Sequence, residues 1–230
     1  MVRFYGPRSG DHDGGYDVLV ACAPFAAASR RELLSGKEAV RAASFPPVRA
    51  REFAAGRALL RWALGYLFGS GARACRIGVT GKGRPMVEDL PSTGVSISHS
   101  GGMVAVAVST DRAVGVDIQA PVPPTPGLLR RCCSPEQQRE LFALPAAQQA
   151  SALARRWTIH EACVKATGEG LSRRGEICPG PLFASVGRCR AFGWRVLPSY
   201  GVCAVAVAFS GPAEGAVVRR LLVNDLDHEP

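Results

Sequence analysis

The sequence predicts an α/β (α+β) chain built on a pseudo-two-fold duplication of two similar halves, and three observations carry that reading. Two segments a hundred residues apart are near copies: GGMVAVAVST (101–110) and GVCAVAVAFS (201–210) each run from Gly through a small or β-branched stretch to Ser. Near-continuous Val/Ala runs of this kind belong to strands buried on both faces, whereas a half-exposed hairpin alternates polar and apolar residues. Strand patterns also alternate with long helical patterns along the chain. Finally, 230 residues with 47% hydrophobic and 20% charged composition can bury a sizeable core in one large domain or two small ones. Chance likeness between two Val/Ala strands is the competing account of the repeat. The halves are expected at 1–111 and 112–230, with the active site in the cleft between them.

The elements follow in order. YDVLVACAP (16–24) reads as a strand, and 48–68 as a helix with Leu59, Leu60, Leu64 and Leu67 on its apolar side. RIGVT (76–80), GVSIS (94–98) and AVGVDIQ (113–119) read as strands, and PVPPTPG (121–127) as an irregular crossover. SPEQQRELFAL (134–144) opens with Ser, Pro and Glu, a helix start. A second helix follows over 146–167, ended by Gly168 and Gly170, and the tail NDLDHEP is polar.

Composition excludes several function classes. No apolar run approaches the roughly 20 residues of a membrane span, and the first residues lack the apolar middle of a signal peptide, so no membrane role and a cytoplasmic location are expected. The eight cysteines are scattered with no C-x-x-C pair, which favours small reduced apolar side chains over zinc sites or disulfides. A formal net charge of +9, from 28 Lys+Arg against 19 Asp+Glu, favours a polyanionic ligand or an acidic protein partner. The basic residues form no tract and aromatic content is only 7%, which argues against nucleic acid.

Chemistry gathers at a few positions. In AVGVDIQ, period-two geometry puts Val114, Val116 and Ile118 on one face and Gly115, Asp117 and Gln119 on the other. Asp117 is then either a partly desolvated carboxylate that needs a cation or donors, or a strand-end cap for the proline-rich loop. In WTIHEACVKATGEGL (157–171), Leu153, Trp157 and Val164 form an apolar stripe with Glu161 and Lys165 at its edge. Glu161 and Lys165 are either a surface i, i+4 pair or, with Asp117, part of an oxygen-rich Mg²⁺ site. Ser98, His99 and Ser100 with two following glycines suit a phosphate, while TGKGRPMV (80–87) presents Lys82 and Arg84 on a basic turn. Arg51, Arg57 and Arg61 on the 48–68 helix either solvate its outer face or clamp a phosphate monoester. Neither a P-loop nor a G-x-G-x-x-G after a strand is present.

Together these segments resemble the 4′-phosphopantetheinyl transferase superfamily, Sfp-type, W/KEA variant. The order fits: a basic helix, the G-x-P turn, S-H-S, G-V-D-I, then W-x-x-x-E-A-x-x-K-A-x-G-x-G-L matched from Trp157 to Leu171. The likeness spans roughly 48–210. It implies a pseudo-dimer of two α/β halves that transfers the 4′-phosphopantetheine group of coenzyme A to a serine of an apo acyl or peptidyl carrier protein. The products are holo-carrier and 3′,5′-ADP. The resemblance assigns Mg²⁺ (or Mn²⁺) to Asp117 and Glu161, Glu161 as base, and Lys165 to the pyrophosphate. His99 with Arg51 or Arg57 would meet the 3′-phosphate of coenzyme A, and Lys82 or Arg84 the nucleotide. Many Sfp-type members carry an acid where Gln119 stands, so a weaker or water-mediated metal contact is expected there. The implied partners are coenzyme A and acidic carrier proteins, met by a monomer. The alternatives are a non-catalytic module binding coenzyme A or carrier protein, and, well behind it, a nucleic-acid-binding protein.

Overall fold

The computed structural model describes residues 17–168, 178 and 180–226. Gly170 and Leu171, at the end of the long motif, lie outside the described residues, as do the last four positions of the tail. The first half runs β1 (Val18–Pro24), the short helices α1 (Phe25–Ala28) and α2 (Gly36–Ala43), α3 (Pro47–Phe68), a β2 (Ile77–Val79) and β3 (Pro85–Val87) ribbon, and the hairpin β4 (Gly94–Ser100) and β5 (Met103–Ser109). The second runs β6 (Val114–Gln119), α4 (Pro126–Cys132), α5 (Pro135–Phe142), α6 (Ala146–Thr167), β7 (Val186–Cys189), the hairpin β8 (Phe192–Tyr200) and β9 (Cys203–Ser210), and β10 (Val218–Leu222).

The two four-stranded sheets have orders β10-β1-β5-β4 and β6-β9-β8-β7. In each, a leading strand (β1 or β6) pairs antiparallel with the second strand of a hairpin (β5 or β9), and a 22-residue helix (α3 or α6) lies between them in sequence. The near-copied segments are β5 and β9, the inner strands of the two sheets. One strand crosses over: β10 returns from the C-terminal side to pair parallel with β1.

Alternation decides which face meets what. Leu19, Ala21 and Ala23 of β1 pack with Leu59, Leu60, Ala63 and Leu64 of α3. The intervening Val18, Val20 and Cys22 pack with Val116, Ile118, Val205 and Val207 of the other sheet. On β9 the register is the mirror of this, with Ala206 and Ala208 turned to Ile159, Ala162 and Ala166 of α6. The sheets therefore face each other with one long helix outside each, and every fully buried Val or Leu contributes about 1.5–3 kcal/mol.

Helix ends are legible in the caps. Ser134 and Gln137 form a reciprocal capping box at the start of α5, and α6 stops where Gly168 adopts φ 69°, a left-handed conformation that suits glycine. The stripe expected on α6 is displaced. Leu153 is fully buried, but Trp157 and Val164 are only partly covered, and the inward face carries Ile159, Ala162, Cys163 and Ala166. Small residues prevail there because the helix must approach the sheet closely. All eight cysteines are buried and none is in a disulfide. Among the described residues, no helix is long and apolar enough to cross a membrane.

Candidate active site

The site begins with a glycine. A Cβ at Gly115 on β6 would fall 2.1 Å from the Ala162 carbonyl oxygen and 2.5 Å from the Ala166 nitrogen, so the missing side chain lets α6 sit directly on the strand. Asp117 lies two residues further along the same face of β6, and Glu161 and Lys165 flank the Ala162 contact on α6. The strand and the helix thereby bring their polar groups together.

Asp117 is 5% exposed, and its Oδ1 accepts from Ser98 Oγ at 2.7 Å and from Lys165 Nζ at 2.7 Å. Lys165 Nζ also donates to the Val116 carbonyl at 3.1 Å. Asp117 is thus the desolvated carboxylate within a strand, not a turn cap. Its Oδ2 is buried with no hydrogen-bond partner among the described residues, which for an ionised oxygen is costly unless a ligand completes it. Lys165 pairs with Asp117 across the interface and not with Glu161 along its own helix. Glu161 is half-buried, and no hydrogen bond or ion pair engages it among the described residues. Burial first, and the Asp117 charge second, hold its carboxyl above the ordinary Glu value, against the opposing pull of Lys165 and Arg131.

A serine ladder positions Asp117. Ser96, Ser98 and Ser100 alternate on β4, and their hydroxyls accept from the Val116, Ile118 and Ala120 N–H groups at 3.0, 3.3 and 3.1 Å. These are outward N–H groups of β6, an edge strand, so the ladder joins the edges of the two sheets and satisfies donors that would otherwise be stranded. Ser98 is the rung that also donates to Asp117. Its role in this structure is to aim the carboxylate.

His99 lies beside the ladder. Its Nε2 is 3.0 Å from Arg49 Nη1, and because a guanidinium can only donate, Nε2 accepts and the ring is neutral with its proton on Nδ1, 3.4 Å from Glu52. Burial holds His99 below the usual His value, and it also feels Lys165 and Asp117. Ser98, His99, Asp117, Glu161 and Lys165 therefore share one site drawn from β4, β6 and α6. Gln119 lies on the Asp117 face of β6, half-buried, with its amide N–H donating to the Ala120 carbonyl at 3.1 Å.

The three arginines do not share one environment. Arg57 and Arg61 do not solvate an outer face: both are buried against Glu38, with Arg61 Nη2 2.7 Å and Arg57 Nε 3.8 Å from its carboxylate. Arg61 also donates to the Arg73 and Cys75 carbonyls, which makes it a structural tie; Arg57 is covered by Phe53. Arg51 is exposed. Arg84 reaches across to the Val114 and Ala166 carbonyls at 3.2 and 3.5 Å, docking the 80–87 turn against the end of α6, while Lys82 is exposed. Arg49, Glu52 and Arg131 were missed by sequence reasoning. For the first two a signal existed: Arg49, Glu52 and Gly56 recur at i, i+3, i+7, and a Cβ at Gly56 would come within 2.8 Å of Ile97 on β4, so this stripe faces that strand.

Residues 113–186 match the model of the 4′-phosphopantetheinyl transferase superfamily, a segment holding Asp117, Gln119, Glu161 and Lys165. That segment makes the chain similar to the superfamily, and curated relatives point the same way. It is 33% identical over 150 residues to the 4′-phosphopantetheinyl transferase HetI of Nostoc sp. (strain PCC 7120), covering 63% of each chain. It is 30% identical over 125 residues to the 4′-phosphopantetheinyl transferase psf-1 of Bacillus pumilus, covering 54% of this chain and 53% of that one. To the 4′-phosphopantetheinyl transferase Sfp of Bacillus subtilis (strain 168) it is 31% identical over 90 residues, covering 39% of this chain and 40% of that one. The chain thus spans less than two thirds of the length of these curated relatives.

Proposed function

We propose that this chain transfers the 4′-phosphopantetheine group of coenzyme A to a serine of an apo acyl or peptidyl carrier protein, leaving holo-carrier and 3′,5′-ADP. The observation that carries the reading is the buried Asp117, one oxygen fixed by Ser98 and Lys165 and the other unpartnered, beside the unengaged Glu161. Such a site has oxygen donors and a shortage of positive charge.

The donor set fits Mg²⁺ or Mn²⁺, since both are hard cations that take carboxylate oxygens. Asp117 and Glu161 would hold the ion, with Gln119 a weaker or water-mediated contact, and it would supply charge to offset the coenzyme A pyrophosphate. The protein's own groups do the rest. Glu161, raised above the ordinary carboxylate value by burial and Asp117, is placed to take the proton of the carrier serine hydroxyl. As that oxygen bonds to the phosphorus nearer the pantetheine arm, the bond to the departing 3′,5′-ADP breaks. Lys165 steadies the negative charge that moves onto the leaving group, and Ser98 keeps Asp117 from turning away. His99 and Arg49, with the exposed Arg51, are the nearer groups for the 3′-phosphate, and Arg57, sealed against Glu38, the less accessible one. Lys82, being exposed, is better placed than Arg84 to reach the nucleotide.

In this reading the halves 1–111 and 112–230 frame the site between them, and one chain supplies every group, so the active unit is a monomer. A reducing cytoplasm suits eight cysteines that form no disulfide. The +9 net charge steers the chain toward acidic carrier domains, and rising salt should weaken carrier affinity. The test of the activity is mass spectrometry of apo-carriers incubated with the chain, coenzyme A and Mg²⁺. Gain of the phosphopantetheine mass on serine supports it; no gain across a panel of acyl and peptidyl carriers refutes it.

A further inference from the structure

Behind α6, away from Glu161 and Lys165, three thiols meet. The Sγ atoms of Cys163 on α6, Cys178, and Cys189 at the end of β7 all lie within 4.8 Å of one another and all three residues are buried. Cys163 and Cys178 are 3.7 Å apart, sulfur to sulfur. Zinc–sulfur bonds of about 2.3 Å in a tetrahedron put neighbouring sulfurs about 3.8 Å apart. The thiols are therefore spaced as ligands of one ion would be.

Two further groups point the same way. His160, on the same side of α6 as Cys163 and one turn before it, is 2% exposed, and its Nδ1 has no hydrogen-bond partner among the described residues; its electrostatic neighbours include Cys189. Arg156 is 0% exposed. It donates to the Cys132 and Cys178 carbonyls, its Nη1 is unpartnered, and no carboxylate pairs with it among the described residues. A buried guanidinium held only by carbonyls leaves its charge uncompensated. Three thiolates around a divalent ion carry one net negative charge, which is what Arg156 lacks.

We propose that Cys163, Cys178 and Cys189 bind a zinc ion, and that His160, which stands outside the thiol cluster in the metal-free chain, turns in as the fourth ligand. Three cysteines and one histidine form a ligand set of closed structural zinc sites. The ion ties Cys178 and β7 to the inner part of α6, two residues beyond Glu161, so it braces the helix that carries the catalytic carboxylate without touching the reaction. Because thiolates and not thiols bind the ion, zinc uptake releases protons and strengthens with pH. Among the described residues, Cys178 also lines a cleft of about 460 Å³ with Ser134, Gln137 and Gly180, a path for the ion.

The test uses the full chain purified under reducing conditions without chelator. Elemental analysis should find one zinc per chain. After zinc removal, cobalt should give thiolate-to-metal charge-transfer absorption and the visible bands of a tetrahedral site, a measurement that needs no variant. Cys178→Ser and Cys189→Ser should each weaken zinc binding at least about tenfold, and His160→Ala should change the cobalt spectrum while keeping charge transfer. Zinc should raise the melting temperature of the wild-type chain and not that of Cys178→Ser. A cobalt spectrum without thiolate charge transfer, or zinc content equal in wild type and Cys178→Ser, overturns the site. So does a Cys163–Cys178 disulfide in the reduced preparation.

Discussion

Replacing Gly115 by alanine probes the contact that assembles the proposed active site. The added Cβ would lie 2.1 Å from the Ala162 oxygen and 2.5 Å from the Ala166 nitrogen, both backbone atoms of α6. Ordinary carbon–oxygen contact begins near 3.2–3.4 Å, so the helix must retreat by about 1 Å, because backbone cannot rotate aside as a side-chain tip can. Overpacking of this kind costs about 1–3 kcal/mol. The retreat carries Glu161 and Lys165 away from Asp117, and a misplacement of about 1 Å in a reacting group costs roughly a hundredfold in rate. The assay is paired: thermal or urea unfolding for stability, and initial rates of carrier modification by mass spectrometry. A folded Gly115→Ala chain should be slower by about two orders of magnitude. Wild-type turnover in that variant would refute the argument that close strand–helix contact sets the site.

Other consequences are as direct. Ser98→Ala removes a buried bond to a carboxylate, worth about 1.5–3 kcal/mol, and lowers turnover; Ser96→Ala strands the Val116 N–H and lowers stability by about 1–3 kcal/mol while leaving Asp117 aimed, so its turnover at a temperature where both variants are folded stays near wild type. Equal turnover in the two variants would contradict the role given to Ser98. Glu38→Ala leaves Arg57 and Arg61 buried without their carboxylate and should cost about 3–5 kcal/mol in urea unfolding, an effect that a surface pair would not show. Gln119→Ala should reduce activity far less than Asp117→Ala or Glu161→Ala, and equal losses would mean that Gln119 is a full ligand.

Much of the fold is written in local pattern. The long helices, the inner strands and the α5 cap follow from period, Gly and Ser placement, because each is set by neighbours in sequence. The short α2, the 126–132 helix and β10 were not read: α2 is a single capped pair of turns, and β10 is a strand only because β1 offers it an edge two hundred residues away. At the site, Asp117, Glu161 and Lys165 were legible as charges set among apolar neighbours. That Lys165 would choose Asp117 over Glu161 was not, since the choice depends on how closely α6 approaches β6. The basic helix shows the same limit. The sequence offered Arg57 and Arg61 as solvated cations or a phosphate clamp, and only the docking of α2 brings Glu38 to bury them.

The central claim is that Asp117 and Glu161, from distant segments, act on one another at a single site. The direct measurement is an NMR titration of the Glu161 side-chain carboxyl in the metal-free chain, repeated in Asp117→Asn. Glu161 should titrate above an ordinary glutamate in the wild type and shift downward in the variant, because removing a neighbouring negative charge eases ionisation and frees Lys165 to approach. A Glu161 titration that is the same in both chains would contradict the account.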